Sequence, residues 1–253
     1  MHFGYWDETT ENFQQALDRE NQVVAEVAGI GAQDRVLDAG CGIGGSAIYL
    51  GKNYGCRVTG ITLSEKQVES ATGFARDAGV ADRVDFRVMD YLDTSFEDGS
   101  FQVTWAMESA CHASDKDAFV QEMGRLLAPG GRLVMADGFT TLAARTKEEK
   151  RLMDGWLEGW CVDSLAHAET LGESLRRAGF TEIEFQDISS HVLASSRRLH
   201  RMAWPFLPLA GIGRYLGRNV RVRALNIIAM VYQYRALQQG LWQYGILSAK
   251  KPS

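Results

Sequence analysis

Paired cysteines are missing from this sequence. Its four cysteines, Cys41, Cys56, Cys111 and Cys161, are scattered without CxxC spacing or nearby histidine pairs. Neither a zinc site nor a disulfide framework is indicated, no metal is expected, and a reducing compartment fits best. Such staples are not needed, because a 253-residue chain with 45% hydrophobic residues buries roughly 75% of its unfolded surface as one domain. Long apolar runs are missing too, none approaching the ~18 residues of a membrane span. The opening MHFGYWDETTENF is acidic and aromatic rather than basic and then apolar, unlike a targeting segment. A cytoplasmic protein is the expectation. The net charge of −5 argues against nucleic acid as a partner. Acid is missing from the last quarter: after Asp187 there are eight arginines, two lysines and no carboxylate side chain, so residues 188–253 carry +10 and residues 1–187 carry −15. That division suggests a tail that meets something anionic or packs on the acidic part of its own chain. Repeats, linkers and low-complexity segments are absent as well.

What is present begins with DRVLDAGCGIGG, residues 34–45. Arg35 to Ala39 reads as a buried strand, followed by a turn through Gly40, Gly42, Gly44 and Gly45 and then an amphipathic helix. Glycines there let the backbone pass close to a ligand at the helix N-terminus, where unpaired amides and the dipole sit. Gly40, Gly42 and Gly45 spell GxGxxG, the dinucleotide fingerprint. Asp38, two residues before the first glycine, changes that reading. At the mouth of a pocket it would repel a pyrophosphate and welcome a cation, the pattern of S-adenosylmethionine pockets, whose ligand carries an ammonium and a sulfonium. A nicotinamide enzyme would place an acid at the end of the second strand to grip the ribose, and Thr62 stands there instead.

The rest of the chain supplies a rhythm. A helix over 12–29, with apolar Phe13, Leu17, Val24 and Val27, precedes the first strand. Strands are predicted at 56–61, 83–88, 101–106 and 131–137, separated by helices, one opened by Ser64 with Gln67 at capping-box spacing and one, DAFVQEMGRLLA, stopping at PGG. Regular alternation implies βαβ crossovers and a doubly wound parallel sheet. Beyond Asp137 come a tryptophan-rich helical stretch at 143–166, a helix closed by Gly179, the strand TEIEFQDI, a mostly helical insertion at 191–240, and a last strand in LWQYGILSAKKP.

VLDAGCGIGG, GITLSEKQ, VMDY, MESACHASDK, LLAPGGRLVMAD and YGILSAKKP, in that order, resemble the class I S-adenosylmethionine-dependent methyltransferases. The likeness is nearest to the small-molecule branch with tocopherol and sterol C-methyltransferases, cyclopropane fatty acid synthases and natural-product sugar O-methyltransferases. It implies an α/β Rossmann-like sheet of about seven mostly parallel strands with the last antiparallel, in one domain over 1–253. Residues 1–30 would form an N-terminal cap, 31–138 the cofactor-binding half, and 139–167 with 189–240 a helical substrate lid. It also implies S-adenosyl-L-methionine as cofactor, held by Asp38, Gly40, Cys41, Gly42, Thr62, Leu63, Gln67, Asp90, Tyr91 and Met107. Asp38 with Gly40 and Gly42 would face the methionine end, Thr62 and Gln67 the ribose, and Asp90 and Tyr91 the adenine. The plain alternative for Asp90 is a turn aspartate.

Glu108, His112 and Asp137 are the candidates for chemistry, at or just after the ends of the fourth and fifth strands, the edge where such sheets bind ligands. His112 resembles the histidine that takes a hydroxyl proton in sugar O-methyltransferases, with Asp137 as its companion; a neutral imidazole suits that task. The alternative is a histidine that caps a helix or orients a loop. Glu108 either orders the methionine end or, with an alkene acceptor, stabilises a carbocation. Tyr5, Trp6, Trp156, Trp160, Trp204 and Phe206 are candidate lid residues. The arginines from Arg197 to Arg223, interleaved with Trp204, Phe206, Leu207, Leu209, Ile212, Tyr215 and Leu216, form either an amphipathic cover or the rim of a pocket for a large hydrophobic acceptor, where some would meet an anionic head group or a membrane surface. The expected activity is methylation of a hydrophobic terpenoid, prenylated or polyketide-like molecule at carbon or oxygen. N-methylation of an alkaloid-like amine, and a cyclase or scaffold that keeps the cofactor without using its methyl group, are the alternatives.

Overall fold

The computed structural model describes residues 2–141 and 146–253. Its strands are β1 (Arg35–Ala39), β2 (Arg57–Thr62), β3 (Val84–Val88), β4 (Phe101–Met107), β5 (Leu127–Thr140), β6 (Thr181–Asp187) and β7 (Trp242–Lys250). They form one sheet in the order β3-β2-β1-β4-β5-β7-β6. Strands β1 to β5 pair in parallel, and β7 runs antiparallel to both β5 and β6. This is the doubly wound sheet that the alternating pattern predicts. Strands β1 and β4 are buried almost throughout because helices cover both faces. Neighbouring residues therefore serve opposite cores: Val36 and Val103 face one cluster, Leu37 and Leu133 the other.

Helices α1 (Phe13–Ala28), α2 (Gly45–Asn53), α5 (Lys147–Trp160) and α9 (Arg218–Gln238) contribute to the first core through residues such as Val24, Leu50, Trp156 and Ala229. Helices α4 (Lys116–Leu126) and α6 (Ala168–Arg177) supply Phe119, Met123, Leu171 and Leu175 to the second. Helix α3 (Glu65–Asp77) follows β2, while α7 (Ser189–Ala203) and α8 (Leu207–Gly213) lie between β6 and α9. The chain leaves β1 toward β2 on one side and returns to β4 on the other, so the carboxyl ends of β1 and β4 flank a topological switch point.

Several boundaries move for tertiary reasons. Helix α4 ends at Leu126, and β5 starts at Leu127 and runs to Thr140, which puts Asp137 inside the strand rather than at its end. Antiparallel pairing with β7 carries the strand on, through Gly138 with Tyr244 and Thr140 with Trp242. On α1 the buried face is Ala16, Glu20, Asn21, Val24, Ala25 and Ala28, rotated from the expected stripe, and Val27 is exposed. Ser64 caps α3 by accepting from the Gln67 amide, but the Gln67 side chain turns to Thr62, whose hydroxyl donates to it at 2.6 Å. The segment 143–145 of the expected lid helix lies outside the described residues. Helix α5 opens with a full capping box, Thr146 with Glu149. It packs tightly on α9: a Cβ on Gly155 would sit 2.7 Å from Tyr232, and one on Gly159 would collide with the Leu225 carbonyl. No helix among the described residues is long and apolar enough to cross a membrane.

Candidate active site

The turn after β1 passes beneath the segment after β4. Gly40 has φ 93°, and a Cβ there would lie 2.5 Å from that of Ser109, so only glycine fits. At Gly42 a Cβ would meet nothing within 4 Å: the backbone is open toward a cleft of about 790 Å³. Gly40, Cys41, Gly42, Thr62, Leu63, Gln67, Tyr91 and Met107 all line this cleft. So do Ser109, whose hydroxyl donates to the Ala39 carbonyl at 2.6 Å, and Phe13, Leu17 and Asp18 from α1. The sequence showed Phe13 and Leu17 only as apolar positions at helical spacing, and nothing in it singled out Asp18.

Asp38 and Asp90 are placed differently from the expectation. Asp38 is 2% exposed and lies behind the loop rather than at the cleft's mouth, because β1 still carries it inside the sheet. The Ala47 amide, in the first turn of α2, faces its carboxylate and partly offsets the cost of burial, and Oδ2 has no partner. Burial raises its pKa from 3.8 to about 7. Asp90 is exposed, does not line the cleft, and accepts the Leu92 amide at 2.9 Å as a turn aspartate does. Its neighbours Met89 and Tyr91 line the cleft. Tyr91 donates to the Ser109 carbonyl and sits edge-on to Phe119.

A second, smaller cavity of about 140 Å³ adjoins the first. Glu108, His112 and His2 line both. Its walls are largely aromatic, with Phe3, Trp156, Trp160 and Trp242, and its polar groups include Asp137, Gln233 and Tyr244. Trp156 packs on Trp242 with ring centroids 4.4 Å apart, and the Trp160 indole donates to Gln233 at 2.9 Å. Glu108 has φ 48°, an unfavourable conformation for a non-glycine residue and a kind that clusters at functional sites. Its Oε1 accepts from the Phe3 amide at 2.8 Å and from the Tyr244 hydroxyl at 3.0 Å. The same hydroxyl lies 2.8 Å from Oε1 of Glu20, whose Oε2 accepts the Gly4 amide.

One hydroxyl hydrogen cannot serve two carboxylates, so one of the two acids must carry a proton if both contacts are hydrogen bonds. Burial raises the Glu20 pKa to about 7. Burial, then repulsion from Glu20, raises that of Glu108 well above the usual carboxylate range. Neither Glu20 nor Tyr244 was foreseen. A signal existed in the sequence, since Glu20 stands between Ala16 and Val24 on the buried stripe of α1.

The expected His112–Asp137 pair is not formed. Asp137 accepts the amides of Cys111 and Gly138, which holds the turn carrying His112, and its own pKa is raised by burial. His112 is exposed, and its Nδ1 lies 3.3 Å from the Cys161 carbonyl. With that nitrogen as donor, Nε2 is the acceptor.

Four expected lid residues do other work. Tyr5 stacks on His191 of α7 at 3.9 Å, and the Trp6 indole donates to Ser195 at 2.7 Å; both anchor the N-terminal strap while His2 and Phe3 reach the cavity. Trp204 and Phe206 are exposed and line neither cavity.

Residues 37–135 match the Methyltransferase domain family. The chain is 33% identical to methyltransferase GfsG of Streptomyces halstedii, over 75% of this chain and 68% of that one. It is 34% identical to 27-O-demethylrifamycin SV methyltransferase of Amycolatopsis mediterranei, over 77% and 71%. The chain belongs to the S-adenosylmethionine-dependent methyltransferases. Among solved structures, the [4+2]-cyclase SpnF superposes with a TM-score of 0.79 at 32% identity, over 100% of this chain and 87% of that one. A geranyl diphosphate methyltransferase in complex with its substrate and sinefungin shares the fold, with a TM-score of 0.76 at 21% identity over 99% and 89%. The methyltransferase suits its cofactor physically. The larger cleft is of ligand size, the loop at Gly42 is open toward it, and the partnerless Oδ2 of buried Asp38 lacks the positive charge that an ammonium brings.

Proposed function

We propose that the methyltransferase acts on a hydrophobic small molecule whose reacting group enters the aromatic cavity, and that it methylates oxygen or carbon there. The observation that carries this is the shared wall: Glu108 and His112 line both the cofactor-sized cleft and the aromatic cavity. Asp38 with the Gly40–Gly42 loop would hold the methionine end of S-adenosylmethionine, Thr62 and Gln67 the ribose, and Tyr91 the adenine side. When bound, the cofactor supplies an electrophilic methyl group on a sulfonium. About 140 Å³ is close to the volume of an engineered cavity that binds benzene, so the cavity takes one ring or one isoprenoid-sized unit and the rest of the acceptor lies outside. None of the arginines from Arg197 to Arg223 lines it, so an anionic head group on the acceptor would also lie outside. Relatives support the class by their names, which include tocopherol O-methyltransferase of Arabidopsis thaliana as well as the rifamycin enzyme.

The chain's own work is to position the acceptor, exclude water and handle one proton. Orientation contributes on the order of 7 kcal/mol, and aromatic walls keep the cavity dry. If the acceptor is a hydroxyl, His112 Nε2 takes its proton, with Nδ1 steadied by the Cys161 carbonyl. If it is an alkene, Glu108 in its ionised form faces the cation and accepts the proton lost from it. A second reading, a cyclase that keeps the cofactor as a structural element, draws on the SpnF likeness.

The test is incubation with methyl-labelled cofactor and a panel of prenylated, terpenoid and polyketide acceptors, following release of S-adenosylhomocysteine. Methyl transfer supports the proposal. Isomerisation of an acceptor without release of S-adenosylhomocysteine would establish the cyclase instead, and failure to bind the cofactor by calorimetry at high micromolar concentration would sink both.

A further inference from the structure

The molecule leaves one large apolar surface uncovered. Leu209, Ile212 and Tyr215 are 69%, 67% and 82% exposed, and Met202, Trp204, Phe206, Leu216, Val220 and Val222 are exposed beside them. These side chains lie on the end of α7, on the 3-10 turn Trp204–Phe206, on α8, on the turn after it and on the start of α9. The elements beneath are ordered by a small core of their own, Ala210, Ala224 and Ile228, so α8 keeps its shape while its outer face meets solvent. Isolated exposed apolar residues need no explanation, but a run of this size marks an interaction surface.

Its chemistry narrows the partner. No carboxylate side chain occurs anywhere from residue 188 to 253. On α7, Arg197, Arg198 and Arg201 line a shallow groove of about 290 Å³ next to Met202, large enough for a phosphate. Arg218 and Arg223 make no ion pair among the described residues, whereas Arg214 and Arg221 reach across to Glu158 of α5. Protruding aliphatic and aromatic side chains flanked by arginines suit the boundary between acyl chains and anionic head groups. A second copy of the chain suits it poorly, because a two-fold contact would set this arginine-bearing, acid-free patch against itself.

We propose that this face docks on an anionic lipid bilayer, with Leu209, Ile212 and Tyr215 inserted among the acyl chains and the α7 arginine groove seated on phosphate head groups. The docked elements join the acceptor cavity directly: Leu199 of α7 and Gln233 of α9 line it, and Glu158, which holds Arg214 and Arg221, lies between Trp156 and Trp160 on α5. A hydrophobic acceptor dissolved in the bilayer thereby meets the cavity without crossing water. This last step rests on the proposed acceptor class; the docking does not.

Flotation of the full chain with vesicles tests it, without acceptor. Binding to vesicles of phosphatidylcholine mixed with phosphatidylglycerol, weakening with salt, and absence from pure phosphatidylcholine are expected. The double variants Leu209→Ser with Ile212→Ser, and Arg197→Ala with Arg201→Ala, should each lose about tenfold or more in partitioning. Both should keep wild-type S-adenosylhomocysteine affinity, which shows that they fold. No binding to anionic vesicles at low salt, or undiminished binding by both variants, overturns the proposal. So does a wild-type dimer that ignores vesicles and dissociates on Leu209→Ser with Ile212→Ser, since the face would then be a contact between copies. Binding to phosphatidylcholine equal to that of the anionic mixture refutes the role given to the arginines.

Discussion

Replacing Asp38 by asparagine should stabilise the ligand-free protein at pH 8 while weakening its hold on the cofactor. Burial raises the folded-state pKa from 3.8 to about 7, so the folded state favours the proton. The stability linked to this group is complete below about pH 4 and is lost as pH rises through about 7. That gap corresponds to about 4 kcal/mol once the group is ionised in both states. Asparagine avoids the buried charge and keeps an oxygen for the Ala47 amide, but its NH2 inherits the partnerless position of Oδ2, which costs about 1–2 kcal/mol. The net gain at pH 8 is about 2 kcal/mol, or about 4–8 °C in Tm for a chain of this length. At pH 5, where the native carboxyl is protonated, the gain shrinks to near zero. Thermal melts at both pH values without ligand measure the difference, and calorimetry should show cofactor affinity falling about tenfold, the loss of one charge partner. A gain equal at pH 5 and pH 8, or a loss at pH 8, would refute the account of Asp38 as an uncompensated buried charge.

Glu108→Gln should lower methyl transfer by about 10²-fold or more while leaving S-adenosylhomocysteine affinity within a few fold, as read by turnover and calorimetry on one preparation. His112→Ala should lower O-methylation by about 10²-fold while leaving S-adenosylhomocysteine affinity within a few fold; undiminished turnover would leave His112 as a loop anchor. Tyr244→Phe removes the hydroxyl between Glu20 and Glu108 and should cost about 1–3 kcal/mol in urea denaturation. Gly159→Ala should cost a similar ~1–3 kcal/mol, because the added methyl meets the α9 backbone at Leu225; wild-type stability in that variant would show that the α5–α9 contact is loose.

Motifs governed by local geometry were legible in the chain. The β1–loop–α2 unit needs glycine at Gly40, where φ is 93°, and Ser64 caps α3 by a contact three residues long. The sheet followed from alternation, because helices separating short apolar strands leave few other arrangements. Where the outcome depended on a distant partner, the sequence was silent or misleading. Asp137 looked like a companion for His112 until β7 extended β5 past it and the Cys111 and Gly138 amides took its oxygens. Tyr5 and Trp6 read as a cap on the pocket, yet His191 and Ser195, over 180 residues away, hold them against α7 and give the cavity to His2 and Phe3.

By itself, the sequence determined the fold class and the cofactor, because both rest on short segments whose residue types are dictated by backbone conformation and by one carboxylate beside a glycine turn. It also determined the charge division that leaves the last quarter without acid. Only the tertiary structure decided that Glu20 and Glu108 share one tyrosine hydroxyl, that an aromatic cavity of ring-sized volume adjoins the cleft, and that the basic quarter turns an apolar face outward. Each of these joins residues from elements far apart in the chain, where burial and a single hydrogen-bond donor, rather than spacing, set the chemistry.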